Sequence, residues 1–474
     1  MKKYLKNIIG AFVLVLMTAS CGEDFLNVFP NDQLVAETAI TSVGGAEAAL
    51  YGVYNVLQGT GSYNCNMITF GEVRGEDMQT VSRSDRTVAF YTFNNRTPDN
   101  VDANLWFQPY VALNRINVII KAFEDGRVTD GTEKQRDAIL GQCYALRGLF
   151  HFDLVKLFGI PYLKDKTAPG AVIADRIIAA NEKPQRNTVE ETYTQAVNDL
   201  KEAMTLLSTT KEITDGYMNY WAAEALLARV CLYMGNYGEA YTHATNVITS
   251  GPYSLITNAG YIASWSAAFT TESIFSLANM ANDHGDREGV GYVANPDGYG
   301  AFVATPTFVA LLEEDPADVR LGLLKPSVSG THPKGYVAKL PGKTNIFDSN
   351  IPIIRLSEMY LVAAEAAMRN GNPASAKTYV DAIRKRANPA AADEPVSVDL
   401  VMKERRKELI SEGHRFFDIM RLGVSVDRQC ATSFMNADEC PIVGWDQVYC
   451  VLPVPRHEIN LNPDILPTPG YSNN

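Results

Sequence analysis

The sequence predicts a mainly α-helical protein built from tetratricopeptide-like helix pairs, an α-solenoid-like body joined to a loop-rich subdomain with a few short strands. Two observations lead to this prediction. The stretch 351–387 has apolar residues at helical spacing on both sides of a Gly371-Asn372 turn. The stretch 217–250 repeats this pattern around Gly235-Asn236. Such self-similarity at a distance is typical of helical-repeat architectures.

The turn between the two helices of the 351–387 pair has its own chemistry. Gly371 supplies a permissive backbone for ending one helix, and Asn372 can cap the next. Pro373 then falls at the first helical position, where a missing N–H costs nothing. Small alanines, which let paired helices approach closely, recur at matching positions of the two units. They are Ala228 and Ala240 in the first unit, and Ala364 and Ala376 in the second.

Helical spacing of apolar residues predicts the other helices, and polar segments rich in glycine and asparagine separate them. The further helices are expected at 43–57, 103–122, 132–158, 188–207 and 399–422. Short apolar runs such as SIFSLAN and YVAKL predict strands within an insertion after Gly251. The tail from Val448 predicts a short strand and then proline-rich extended chain, which must pack against the body. The plan is a single body, 41–474, with repeats at about 41–58, 103–158, 188–250 and 351–422 and insertions at about 59–102 and 251–350.

The first twenty residues predict a secretory signal peptide. Lys2 and Lys3 precede an apolar run from Ile8 to Met17, and small residues follow it. The run is too short for a membrane span, which needs about 20 apolar residues. Cys21 stands directly behind this region and resembles the lipidated cysteine of a bacterial lipobox. Residues 21–40 are therefore expected to be a lipid-anchored tether; an ordinary signal peptide with a chance cysteine is the alternative.

Charge and cysteine content narrow the function classes. The net charge of −12 and the pI near 5.1 argue against nucleic-acid binding, which needs clustered cations. The six cysteines after Cys21 lack the spacing of a zinc site. Cys143 and Cys231 lie in helical patterns and are expected in the core. In an oxidising compartment, two of Cys430, Cys440 and Cys450 could form a disulfide.

Several stretches of the chain match a known set of sequence features. They are the lipobox with Glu23 and Asp24, FLNVFP, LNRINVII, SIFSLAN, DPADVR, IIRLSEMYLVAAEA, ERRKELISEGHRFFDIMRLG and LPVPRHEINLNPDILPTPGY. In this order along the chain they resemble the SusD/RagB family of outer-membrane nutrient-binding lipoproteins. The resemblance implies a body of tetratricopeptide-like helix pairs on the cell surface, with Cys21 carrying the lipid. It also implies that the protein binds oligosaccharides, or peptides in some branches, and passes them to a TonB-dependent (SusC-like) transporter.

Two insertions contain the side chains that a neutral sugar requires. A sugar presents an apolar ring face and a fringe of hydroxyl groups, so its site needs flat aromatic rings with carboxylate, amide or guanidinium groups around them. The two insertions are expected to form one ligand site, with no catalytic residue, metal ion or cofactor. The candidate ligand-binding residues are Tyr63, Asp77, Arg83, Arg86, Tyr91, Asn94 and Arg96 in the first insertion, and Asp286, Arg287, Tyr292 and Tyr299 in the second.

Other polar or aromatic features are expected to be structural. In the charged run 403–421, glutamates spaced four apart are expected to pair with Arg405, Arg406 and Arg415 one helical turn away. Catalysis by this run with His414 is the less favoured hypothesis. A calcium ion held by Asp283, Asp286 and Glu288 is a minor alternative, because the order of these residues differs from an EF-hand. Trp106, Trp221 and Trp265 are expected to pack inside the body, while Trp445 is equally balanced between core and surface.

Three other functions stay open at this point. A peptide ligand would need a long groove with strand edges for backbone pairing. A glycoside hydrolase would need two carboxylates about 5 to 10 Å apart in a cleft. A scaffold would show a concave helical face without a ligand pocket. The sequence leaves the identity, linkage and length of the ligand undetermined.

Overall fold

Stacked helices form the body of the protein, as the sequence predicts. The computed structural model describes residues 40–82, 86–94, 97–210, 216–326, 334–426, 428 and 442–473. The α-helices α1 to α16, in chain order, are Val43–Leu57, Asn66–Val73, Val88–Tyr91, Asn104–Glu124, Glu133–Phe158, Val189–Leu206, Tyr220–Tyr233, Tyr237–Ser250, Tyr261–Ser264, Val290–Ala294, Pro306–Glu313, Leu356–Arg369, Pro373–Ala387, Val398–Leu409, Arg415–Leu422 and Arg456–Leu461. The strands β1 to β6 are Met78–Thr80, Ser273–Leu277, Phe302–Ala304, Leu324–Lys325, Tyr336–Val337 and Ile351–Arg355.

Helices α12 and α13 form the pair predicted for the stretch 351–387. Gly371 has a left-handed φ of 74°, the Asn372 side chain accepts a hydrogen bond from the first turn of α13, and Pro373 begins that helix. Helices α7 and α8 turn in the same way, because Gly235 has a φ of 72° and Asn236 caps α8. The predicted repeat is confirmed.

The pairs stack in chain order. Helix α1 packs on α4, α4 on α5, α5 on α6, α6 on α7 and α7 on α8. Helix α8 then packs on α12, and α12 contacts both α13 and α14. The alanines that match between the two repeat units are fully buried at these contacts, which agrees with their predicted role. They are Ala228, Ala240, Ala364 and Ala376.

Replacing Gly371 by alanine is expected to lower the free energy of unfolding by about 1 to 2 kcal/mol, the cost of a left-handed backbone for a residue with a Cβ atom. A Cβ at this position would meet no other atom within 4 Å, so no steric clash contributes. Urea denaturation of the soluble chain measures the change. Gly371→Asn should lower the free energy of unfolding by less, since asparagine tolerates the left-handed conformation better than alanine does. Equal stability of Gly371→Ala and wild type would contradict the prediction.

The first five residues of the stretch 351–387 are a strand rather than helix. Strand β6 pairs antiparallel with β2, with Leu277 opposite Ile351 and Ser273 opposite Arg355. The apolar residues at 351, 353 and 354 fit either period, so local spacing could not distinguish the two states. The partner strand, which lies in the second insertion, determines the outcome.

Short elements fill both insertions, as expected for loop-rich segments. The first contains α2, β1 and α3, and the second contains β2 to β5 with α9, α10 and α11. Within the described ranges the strands form three antiparallel pairs, β1 with β3, β2 with β6 and β4 with β5. The SIFSLAN and YVAKL runs supply β2 and β5, so both predicted strands are present.

The predicted helix 399–422 is wrong in one respect, since it is two helices, α14 and α15. Between them Ser411 and Gly413 have positive φ angles of 66° and 83°. The Glu72 carboxylate of α2 accepts hydrogen bonds from the three backbone N–H groups of residues 412–414, at 2.7 to 3.1 Å. A side chain distant in sequence therefore stabilises the break.

Burial raises the pKa of Glu72 to about 7, although hydrogen bonds from residues 411–414 oppose the shift. Because the folded pKa lies above the unfolded value, this group stabilises the fold below about pH 4.5, and its contribution is lost as the pH rises through 7. Glu72→Gln removes this titration. We expect the stability of Glu72→Gln relative to wild type to rise by up to about 3 kcal/mol between pH 4.5 and pH 8. Urea titrations at both pH values measure it, and a pH-independent difference would refute it.

A network of buried charges surrounds the C-terminal end of α14. The Arg355 guanidinium donates hydrogen bonds to Glu412 at 2.7 and 2.8 Å, to Glu408 at 3.1 Å and to Glu272 at 3.0 Å. Lys339 binds the same Glu412 carboxylate at 2.6 Å. All five side chains are at least 93% buried. The network joins β6, the residue before β2 and the segment after β5 to α14 and to the turn that follows α14.

The partners predicted for the glutamates of the charged run 403–421 are wrong. These glutamates pair with arginines and a lysine from other elements, because α14 ends at Leu409 and its acidic face points into the core. The arginines of the run bind other carboxylates: Arg405 binds Asp418 within the run, whereas Arg406 and Arg415 bind Asp77 and Glu76 of the first insertion. His414 is also buried, and burial together with the Arg229 charge lowers its pKa well below the usual histidine value. The run is structural, as expected, through different contacts.

The tail packs against the body, but the strand predicted at Val448 is absent from the described residues. Residues Val448–Cys450 form a 3-10 turn, and α16 follows directly after Pro455. The Leu452 N–H donates to the Leu157 carbonyl at 2.8 Å. Arg186 donates to the carbonyl oxygen of Leu466 and to the Thr468 hydroxyl. Backbone and side-chain hydrogen bonds therefore hold the tail on the body.

Cysteine positions agree in part with expectation. Cys143 and Cys231 are buried in the core, as predicted. Cys450 is a buried free thiol and forms no disulfide here. Burial raises the pKa of this thiol. Cys430 and Cys440 lie outside the described residues, as do the predicted signal peptide and Cys21. No helix in the described part of the chain has the length and apolar character needed to cross a bilayer.

Candidate ligand-binding site

The two insertions meet on one side of the helical body. Strand β1 of the first insertion pairs with β3 of the second, with Met78 opposite Ala304 and Thr80 opposite Phe302. The Asn64 carbonyl oxygen accepts a hydrogen bond from the N–H that begins α10. Residues predicted from two distant segments are therefore neighbours, which is the geometric requirement for a shared site.

A row of aromatic rings lies where the insertions meet. The rings of Tyr292 and Tyr299 are perpendicular, with centroids 4.9 Å apart. Phe347 stacks on Tyr292 at 4.9 Å with an interplanar angle of 4°. His284 stacks on the other side of Phe347, with centroids at 5.1 Å. These four residues, called the aromatic row below, are partly exposed.

Arg86 of the first insertion closes one end of the aromatic row. Its guanidinium lies 3.6 Å from the centroid of the Tyr299 ring and donates two hydrogen bonds to Glu288, at 2.5 and 2.6 Å. Hydrogen bonding from Arg86 lowers the pKa of the Glu288 carboxyl, so this group stays ionised at neutral pH. Both side chains are about half exposed, 42% and 54%. A cation and an anion thus border a group of partly exposed aromatic rings.

Three of the predicted site residues are buried and bind other protein groups. The Tyr63 hydroxyl donates to the Asp153 carboxylate at 2.8 and 2.9 Å. The Asp77 carboxylate accepts hydrogen bonds from Arg406. The Tyr91 ring lies beneath the buried Arg428 guanidinium and is 2% exposed. These three side chains hold the first insertion in place, and none of them faces solvent.

The remaining predicted residues lie at the surface or outside the described chain. Asn94, Asp286 and Arg287 are exposed. Asp286 has a positive φ of 48°, and its carboxylate lies 3.5 Å from the His284 ring. Arg83 and Arg96 are not among the described residues.

Sequence reasoning missed Phe347 and His284, and it considered Glu288 only as a calcium ligand. Phe347 belongs to a loop in which Asp348 accepts backbone hydrogen bonds from residues 343–345. Its neighbours in the aromatic row are more than forty positions away in the sequence. No local pattern marks such a contact; the Asx-type turn at Asn345 was the available signal that this loop is ordered.

The tryptophans of the described chain pack against other protein groups. Trp106 and Trp221 are buried, and Trp265 packs against Tyr261. The Trp445 indole donates to the Met420 carbonyl oxygen. Within the described ranges, no group of three or more histidine, cysteine, aspartate or glutamate side chains is arranged to hold a metal ion.

Fold and surface together define a class of protein, a stack of tetratricopeptide-like helix pairs whose irregular insertions carry an aromatic surface. Two family models match the chain, one described as the SusD family over residues 325–471 and one as "Starch-binding associating with outer membrane" over residues 24–232. The chain belongs to the SusD family.

Individual relatives agree with this assignment. A SusD superfamily protein from Bacteroides vulgatus is 35% identical, with a TM-score of 0.86 over 91% of this chain and 100% of that one. A solved structure described as a laminarin-binding SusD-like protein is 25% identical, with a TM-score of 0.72 over 90% and 99% of the two chains. The SusD-like protein P25 from Formosa agariphila is 24% identical, and the match covers 99% of both chains.

Proposed function

We propose that this protein binds neutral oligosaccharides at the aromatic row and delivers them to a TonB-dependent transporter in the outer membrane. The observation that supports binding is the junction of the two insertions, where Tyr292 and Tyr299 form an aromatic surface bordered by Arg86 and Glu288. Family membership supports carbohydrate binding and association with the outer membrane. The protein acts by binding and catalyses no reaction on its ligand.

The chemistry of the aromatic row suits a sugar. The partly exposed tyrosine rings offer apolar surface for the C–H groups of a pyranose. The Arg86 guanidinium donates hydrogen bonds and the Glu288 carboxylate accepts them, so hydroxyl groups of the sugar find both kinds of partner. Because Arg86 and Glu288 neutralise each other, the site carries no net charge from this pair. An uncharged ligand is therefore favoured.

The names of one matching family model and one structural relative indicate which ligands to test. The family model that matches the N-terminal half is named for starch, and one structural relative is named for laminarin. Both are glucose polymers, so glucans are the first ligands to test. We further propose that Cys21 carries the lipid anchor and that a SusC-like transporter is the partner, which the family resemblance alone supports.

The other functions are less well supported. The described strands span two to five residues and pair with one another, which leaves little edge for an extended peptide. The acidic residues of the charged run that could suit a hydrolase are buried in ion pairs. A pure scaffold would not need an open aromatic row.

A binding screen of the soluble chain that starts after Cys21 tests the proposed ligand class. We expect binding to neutral oligosaccharides and none to peptides on parallel arrays. Binding to peptides alone would overturn the proposed ligand class. Turnover of a bound glycan by the purified protein would overturn the proposed non-enzymatic role. The transporter partnership fails if no TonB-dependent barrel co-purifies with the chain from solubilised outer membrane.

A further inference from the structure

A second open cavity lies next to the aromatic row. It has a volume of about 370 Å³ and is bounded by α1, residues 216–217 and the segment from Leu277 to Asp283. This volume falls within the range of small-ligand sites, which runs from about 300 to 1,000 Å³. None of these residues is among the candidate ligand-binding residues predicted from the sequence, and Asp283 appears there only as a minor alternative calcium ligand. We call this cavity the tyrosine cleft.

Three tyrosines form the apolar wall of the tyrosine cleft. The rings of Tyr51 and Tyr217 have centroids 5.6 Å apart, and Tyr54 meets Tyr217 edge to face at 4.9 Å. Tyr51 is 46% exposed and Tyr217 is 37% exposed. Met280, which is 55% exposed, continues the same surface. Because these exposed side chains lie side by side, they form one contiguous apolar patch, and such patches mark binding surfaces where a single exposed residue does not.

Polar groups complete the lining of the cleft. Asn55 and Asp283 contribute an amide and a carboxylate to its lining. The Gln58 amide donates to the backbone oxygens of Ala278 and Asp283, at 3.0 and 3.3 Å. Met280 and Asp283 also bond each other through their backbones, at 2.8 and 3.1 Å. These hydrogen bonds hold the segment 278–283 in one conformation without a ligand, which lowers the entropic cost of binding.

One segment, residues 278–284, connects the tyrosine cleft to the aromatic row. Asp283 lines the cleft, and the next residue, His284, is the terminal ring of the aromatic row. A linear chain lying along the aromatic row from Tyr299 to His284 would reach the cleft by crossing this segment.

We propose that the tyrosine cleft is a second saccharide subsite, which takes a further unit of the same neutral oligosaccharide that lies on the aromatic row. This inference rests on the proposed function. It implies that the protein selects linear chains long enough to occupy both places, because two linked contacts bind more tightly than either contact alone. The preferred ligand is then a linear oligosaccharide rather than a mono- or disaccharide.

Calorimetry with laminari-oligosaccharides and malto-oligosaccharides, from disaccharide to heptasaccharide, tests the subsite. For the series that binds, we expect affinity to rise with length in wild type. Tyr51→Ala and Tyr217→Ala should each lower the affinity for the longest members by about tenfold, the effect of losing one aromatic contact. The affinity for the shortest binding members should stay unchanged. Asp283→Asn, which keeps the apolar wall, serves as a second probe of the same lining.

Phe107→Ala is the matched control, because Phe107 is 51% exposed and lies outside the cleft lining. It should leave every affinity unchanged, and thermal melting should show that all variants fold. Equal loss for short and long chains, or no loss at all in the cleft variants, would overturn the subsite. If only the cleft variants are without effect while Tyr299→Ala abolishes binding, the proposed function survives and the subsite does not. Absence of binding by wild type to both series would overturn both.

Discussion

Arg355→Met is expected to lower the free energy of unfolding by about 3 to 5 kcal/mol. The change removes the cation that binds all three buried carboxylates of Glu272, Glu408 and Glu412. Arg386 and Lys339 remain beside them, but their two charges do not balance the three carboxylates. Burial alone would lower the pKa of Arg355, yet Glu412 and Glu408 raise it well above the usual arginine value. The cation is therefore held firmly by these carboxylates. Urea denaturation at pH 7 measures the loss.

Arg176→Met provides the matched control for Arg355→Met. Arg176 also makes two hydrogen bonds to one carboxylate, that of Glu182, but its side chain is 62% exposed. Exposed ion pairs contribute little because water and salt screen them. This variant should unfold like wild type. A similar loss in both variants would show that burial of the Arg355 network is not what stabilises the fold.

The pH dependence of unfolding gives an independent check on the same network. Burial alone would raise the pKa of Glu412, but the charges of Arg355 and Lys339 bring it below the usual value. A carboxylate with a lowered folded pKa stabilises the protein above its unfolded pKa, near 4.5, and this stabilisation is lost as the pH falls. Wild type should lose stability below about pH 4.5. Arg355→Met should show a shallower acid dependence, since part of this stabilisation has already been removed.

The double variant Tyr292→Ala and Tyr299→Ala is expected to weaken oligosaccharide binding by at least about tenfold, or about 1.4 kcal/mol. Both rings belong to the aromatic row, and the Arg86 guanidinium loses the surface on which it lies. Calorimetry with the tightest oligosaccharide from the binding screen measures the effect. A melting curve confirms folding, because both tyrosines are partly buried. Phe107→Ala again serves as control, and unchanged affinity in the double variant would remove the second insertion from the proposed site.

Much of the helical body could be predicted because its signals are local. The helix starts at α5 and α6 follow from Thr132 and Thr188, whose side chains form capping boxes with the third residue of each helix. The turn at Gly371-Asn372 follows from the same kind of reasoning, since a left-handed glycine and a capping asparagine lie within a few residues of each other. Helix α1 matches its predicted bounds at both ends.

The elements that were predicted wrongly depend on partners far away in the sequence. Strand β6 exists because β2 pairs with it, and the break between α14 and α15 is stabilised by Glu72 from α2. Local periodicity contains no information about either partner. The same reason explains the glutamates of α14, whose charges are neutralised by cations from other elements rather than by arginines one turn away.

The candidate site was predictable as two regions but not as a set of residues. Tyr292, Tyr299 and Arg86 were named from composition and lie together in the structure. Tyr63, Asp77 and Tyr91 have the same composition and are buried. Residue type shows what a side chain can bind, whereas its direction depends on how each insertion packs on the helices.

The sequence by itself determined the helical repeat, the turn that closes each pair and the two segments that interrupt the stack, because hydrophobic period, capping residues and glycine act over a few residues. Only the tertiary structure decided which face of each insertion is open, since burial depends on contacts between segments far apart in the chain. It brought Phe347 and His284 to Tyr292, turned Tyr63 inward and placed Tyr51 beside Tyr217.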